Sequence, residues 1–140
     1  MTPSGARHNT AAWFPRLLGV LATLLTLLNL ADLLYTPTER AEQVLFGYMF
    51  TGSAAQFVTT FHVAFFALAA WGCFARKAFM AWVAIGYFAY VLLSLWIWTS
   101  LYRTRFNAYP LSTILSNALL SVILLALCRV TFGRRAAFDQ

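Results

Sequence analysis

The stretch "TGSAAQFVTTFHVAFFALAAWGCFARKAF", residues 51–79, carries no formally charged side chain before Arg76. Its central part, Ala54–Phe74, is about 20 residues long, enough at about 1.5 Å per residue to cross a hydrocarbon core of about 30 Å. It runs into "ARKA" (Ala75–Ala78), a short basic connector, and a second apolar block begins at once at Phe79. An apolar span, a basic turn and another apolar span are the signature of a polytopic membrane protein. Working outward, the same block length recurs at Pro15–Tyr35 and Leu111–Phe132, and the block opened by Phe79 runs to Leu101. Pro15 suits a first helical turn, where its missing N–H is no loss.

Composition agrees. Of 140 residues, 61% are hydrophobic and only 10% are charged, whereas a soluble domain carries about 25% charged residues. Aromatic residues make up 17% and cluster near the span ends, as interface anchoring requires. The net charge of +6 comes from residues in tails and connectors beside apolar spans. No basic patch or fold motif accompanies it, so nucleic acid is excluded as a partner. A signal peptide does not explain the first block, which is too long and lacks a small-x-small cleavage site. Cys73 and Cys128 show no CxxC or His/Cys metal spacing, so no metal site, redox pair or structural disulfide is expected.

Between spans one and two lies "TPTERAEQ" (Thr36–Gln43). Thr36 and Glu39 have capping-box spacing, with Pro37 at the first helical position. Apolar character from Val44 to Phe74 covers about 46 Å if helical, too much for one crossing. Gly52 weakens a helix, and Ser53 with Gln56 forms a second capping box. The expectation is an all-α, four-transmembrane-helix bundle in a single domain, residues 1–140. It has spans at about 15–35, 54–74, 79–101 and 111–132 and a short extracytoplasmic helix at about 37–50, with a break at Gly52.

Charge sets the orientation. Arg7, Arg16, Arg76, Lys77, Arg129, Arg134 and Arg135 fall on one side, and Arg40, Arg103 and Arg105 on the other. The excess of basic residues marks the cytoplasmic side of an inner membrane, and both termini share it.

The polar residues inside the spans carry what functional signal there is. Ser53, Gln56, Thr59 and His62 recur every three residues, as do Thr23, Thr26, Asn29 and Asp32. His62 should lie about 13 Å in from the outer end of its helix, level with Thr26, and Asn29 is level with Thr59. Tyr87, Tyr90, Ser94 and Trp98 share one face of span three, and Thr113, Asn117 and Ser121 one face of span four. These residues fall in the outer part of the bundle, and the inner half is mainly Leu, Ala, Phe and Val. Hydroxyls can bond their own helix, and amides can join helices without further meaning. An ionisable ring near the midplane is costly and tends to face a cavity or pathway. The sharper reading is an outward-opening pocket with His62 at its floor, Thr59 one turn back as a partner for its ring, Tyr90, Ser94, Asn117 and Asn29 on its walls, and Gln56 and Asp32 toward its mouth.

No known small four-span design fits by its parts. Asp32 is too near the span end for a proton-coupled multidrug exporter, and paired cysteines for a thiol oxidoreductase are missing. His8 lies in the N-terminal tail, so bis-histidine haem ligation within one chain is not available. No potassium-channel filter, HExxH, GxSxG or Walker pattern occurs. No cofactor or catalytic residue is assigned. The favoured class is a non-catalytic binding or accessory subunit of a larger membrane assembly, with other membrane subunits or further copies of itself as partners and a lipid or quinone as ligand. A transporter or channel component, and a lipid- or quinone-acting enzyme using His62 and Tyr90, are the alternatives. The topology has a direct test: a reporter fused after Gln140 should be active only if it is one that works in the cytoplasm, and activity of a periplasmic reporter there would reverse the assignment.

Overall fold

The computed structural model describes residues 13–101 and 110–138. They form α1 (Trp13–Tyr35), α2 (Gly52–Phe74), α3 (Met80–Leu101) and α4 (Pro110–Gly133). All four are long and apolar enough to cross a membrane, and their ends fall within two residues of the spans expected from sequence. Large apolar side chains stay exposed on the outward faces, among them Leu24, Leu28, Leu68, Leu119 and Val122. Helices apolar on all sides are those suited to a large buried core or a membrane span.

The chain turns sharply between α2 and α3. Lys77 N–H reaches Gly72 O at 2.9 Å and Arg76 N–H reaches Cys73 O at 3.2 Å, with Arg76 at φ 48°. This is a Schellman cap, and it accounts for how a connector as short as "ARKA" reverses direction. Beneath it, Gly72 permits close packing: a Cβ there would lie 2.5 Å from Met80 Sδ. Met80 joins Phe14, Leu18, Cys73, Ala81 and Phe138 in the buried core at this end. Phe138 arrives on a terminal 3-10 turn, Arg135–Phe138, and the Arg134 guanidinium lies 4.7 Å from the Trp13 ring centroid, a cation–π contact.

The bundle consists of two helix pairs. α1 packs along α2, and α3 along α4; α2 meets α3 over a much smaller contact, and α4 makes no extended contact with α1 or α2. Space is left between the pairs.

The helix expected at about 37–50 does not form. Its place is taken by a single 3-10 turn, Thr38–Arg40, and a β-hairpin of β1 (Glu42–Leu45) and β2 (Tyr48–Thr51). The strands pair antiparallel from Glu42↔Thr51 to Leu45↔Tyr48. Phe46 and Gly47 make the two-residue turn, at φ 51° and 79°, the pattern of a type I′ turn. Two local facts explain the difference. Thr36, read as a cap, donates its hydroxyl to Asp32 Oδ1 at 2.7 Å instead. Val44, Tyr48, Phe50 and Thr51 are β-favouring residues on either side of a glycine turn. The second capping box is also unused: α2 starts after Thr51, which makes no side-chain cap bond. The break at Gly52 is present, as a strand-to-helix junction at φ 62°.

The hairpin tip rests on α3. A Cβ at Gly47 would lie 2.5 Å from Ile97 Cβ and 2.8 Å from the Ser94 carbonyl oxygen. Ser94 is seven residues before Leu101, about 10 Å back along the helix. Gly47→Ala therefore meets both a clash and an unfavourable φ, and should destabilise the protein by about 2 kcal/mol. Gly86→Ala, where a Cβ meets nothing within 4 Å, should leave stability unchanged or raise it slightly. Thermal unfolding of both variants in detergent checks the contrast.

Candidate functional site

Among the cavities between the helix pairs, two share His62 in their lining. A groove of about 760 Å³ is roofed by the hairpin residues Leu45, Phe46 and Phe50 and walled by α2 and α3. A smaller cavity of about 380 Å³ lies toward α1 and includes Asn29, Val44, Ser94 and Trp98. His62, Tyr87 and Tyr90 line both.

Aromatic contacts hold this shared lining. The Tyr87 ring meets Phe66 edge to face at 5.3 Å and lies 5.7 Å from Phe65. Tyr90 lies 5.9 Å from Tyr87, and the His62 ring is 6.0 Å from Phe66. Phe46 closes the outer side, edge to face with Tyr90 at 5.0 Å, and its backbone N–H donates to the Tyr90 hydroxyl at 3.4 Å. That bond has a clear use. A hairpin turn set among apolar helices leaves backbone N–H groups that need a partner, and Tyr90 supplies one.

The structure brings His62, Asn29, Tyr90 and Ser94 around the smaller cavity. The other residues expected there are placed differently. Thr59 is buried, but its hydroxyl donates to Ala55 O at 3.0 Å and not to His62. A helical threonine reaches its own i−4 carbonyl, which has a spare lone pair, more readily than a ring a turn ahead. The Gln56 side chain lines neither cavity; its backbone oxygen accepts from Thr60 at 2.9 Å. Asn29 lines the cavity while donating Nδ2–H to Leu25 O at 2.8 Å. Asp32 is an anchor: its carboxylate accepts from Thr36 and, at 3.0 Å, from Gln43 Nε2 on β1.

Asn117 is not a wall of the pocket. It is buried on the α3–α4 seam, and its Nδ2–H donates to Thr99 Oγ1 at 2.6 Å. Ser121, one turn further, accepts from Trp96 Nε1 at 3.1 Å. Matching depth along the helices gave these residues the right level. Because α4 lies on the far side of α3, they face the wrong direction for His62. They act as interhelical glue.

Sequence reading left Tyr87 and the phenylalanines out of the site. Tyr87 had a signal, since it shares a face with Tyr90 and Ser94. Phe46 and Phe50 had only the strand–glycine–strand pattern, which the capping motifs obscured. Among the described residues, neither ring nitrogen of His62 and not the Tyr87 hydroxyl has a protein hydrogen-bond partner. The described residues hold no cluster of three or more His, Cys, Asp or Glu able to bind a metal, and both cysteines are free thiols.

The chain matches no protein-family model, no curated protein and no solved structure.

Asp32 ties the hairpin to α1 through Gln43 and holds Thr36, the residue after α1, so Asp32→Ala should lower stability by about 1–3 kcal/mol, the range for removing a charged acceptor from partly buried donors. Hydrogen exchange at residues 42–51 should rise in that variant more than exchange along α4.

Proposed function

We propose that this chain is a small multi-pass protein of the cytoplasmic membrane, with both termini in the cytoplasm, that holds a small amphipathic ligand, a lipid or a quinone, around His62. In this reading it is a non-catalytic binding or accessory subunit of a larger membrane assembly.

One observation carries the reading. His62 sits half-buried in the lining of two cavities, with no hydrogen-bond partner for its ring among the described residues. Polar groups in an apolar setting cost several kcal/mol each when unpaired. Had a side chain on another helix satisfied the imidazole, it would be structural glue. Instead it opens to space where a bound molecule can satisfy it.

Transport has less support. The cavity toward the other end of the helices is lined by Leu18, Leu21, Ala22, Met80 and Val83, with Tyr87 at its edge, so the polar layer does not continue through it. Catalysis has less support too, since no described side chain orients the imidazole through a hydrogen bond. The exposed apolar face of α4, including Leu115, Leu119 and Val122, suits a partner helix as well as lipid.

Native mass spectrometry of the gently solubilised protein tests this. The wild type should carry a small-molecule mass, and His62→Phe, which keeps bulk and removes both nitrogens, should lose it with helix content unchanged. Equal retention by the two proteins would rule the site out.

A further inference from the structure

Taking the His62 groove as a ligand site, as proposed above, we propose that its occupant is an oxidised quinone: a neutral, flat ring with carbonyl acceptors, held between aromatic side chains with its apolar tail leaving sideways into lipid.

Charge favours a neutral occupant over a phospholipid. Among the described residues, those lining the groove and the adjoining cavity carry no formal charge. A phospholipid would bring a phosphate into a setting where no described residue of the lining supplies a cation to meet it, a burial that costs several kcal/mol per ion. The described cations Arg16, Arg76, Lys77, Arg129, Arg134 and Arg135 line neither cavity and lie at the start of α1, in the α2–α3 turn and at or just past the end of α4. Arg40 is exposed in the outer 3-10 turn and lines neither cavity.

Shape points to a ring. The groove is faced by Phe46, Phe50, Phe61, Phe65, Tyr87 and Tyr90, and aromatic faces favour offset or edge contacts with another flat ring. Its volume, about 760 Å³, lies within the roughly 300–1,000 Å³ typical of small-molecule sites.

Hydrogen bonding points to acceptors on that ring. The Tyr87 hydroxyl has no protein partner among the described residues. Tyr90 accepts from Phe46 N–H and keeps its own proton to donate. A neutral His62 adds one donor and one acceptor. Donors are therefore in surplus, and quinone carbonyls, which only accept, match them better than an acyl chain or a quinol. A route exists as well: Phe57 is 76% exposed and Phe61 56% exposed on the groove's rim, so the opening faces sideways, where lipid would lie.

The test uses the full-length protein in phosphatidylcholine nanodiscs, with two probes: a benzoquinone bearing one isoprenoid unit, and fluorescent phosphatidylglycerol. The wild type should bind the quinone saturably. Tyr87→Phe, which keeps the ring and removes one donor, should weaken binding about fivefold, and His62→Phe about tenfold or more. The quinol form should bind the unmodified protein about fivefold more weakly than the quinone, a comparison that requires no variant to fold. His62-dependent binding of phosphatidylglycerol without quinone binding would overturn the ligand class and leave the binding function standing. Quinone uptake that is equal in the wild type and both folded variants would overturn the site. Absence of saturable binding of either probe would overturn both.

Discussion

The hairpin tip seated on α3 is the contact from which the rest of the architecture follows. α2 and α3 touch little along their lengths, and at one end their spacing is fixed by the tight Schellman turn and the Gly72–Met80 approach. At the other end it is set by Gly47, whose missing side chain lets the turn lie against Ser94 and Ile97. Two helices held close at one end and spread by a strand pair at the other must leave a wedge between them. The groove is that wedge. At the hairpin turn Gly47 is buried against α3 and Tyr90 takes the Phe46 N–H.

Polar groups in the helices divide into three kinds. Thr23, Thr26, Thr59 and Thr60 bond carbonyls one turn back on their own helix, so they add nothing between helices. Asn117 with Thr99, and Ser121 with Trp96, join α3 to α4. Asp32 accepts from Thr36 just past α1 and from Gln43, the bond that ties the hairpin to α1. Taking these away leaves His62, Tyr87 and Ser94 as cavity-lining groups whose side chains have no hydrogen-bond partner among the described residues. Separating satisfied from unsatisfied groups narrows a long roster of polar residues to a small candidate site. It also shows how one set of rings can serve two spaces: His62, Tyr87 and Tyr90 line both.

Length and hydropathy determined the four long helices and their order, because a run of about 20 uncharged apolar residues has few other stable forms. The α2–α3 turn was legible for the same reason: two spans joined by "ARKA" must reverse at once. The spacing of His62, Tyr90 and Ser94 along their own helices was legible too, since depth follows from a rise of about 1.5 Å per residue. What remained for the tertiary structure was every relation between elements. Residues 37–50 carried local signals for both helix caps and a glycine turn, and the choice fell to the hairpin because Thr36 bonds Asp32 and Gly47 fits against α3. Asn117 had the right depth and the wrong direction, because rise along a helix says nothing of which neighbour that helix packs against. The groove itself belongs to no single segment of sequence: it exists only where the hairpin, α2 and α3 meet.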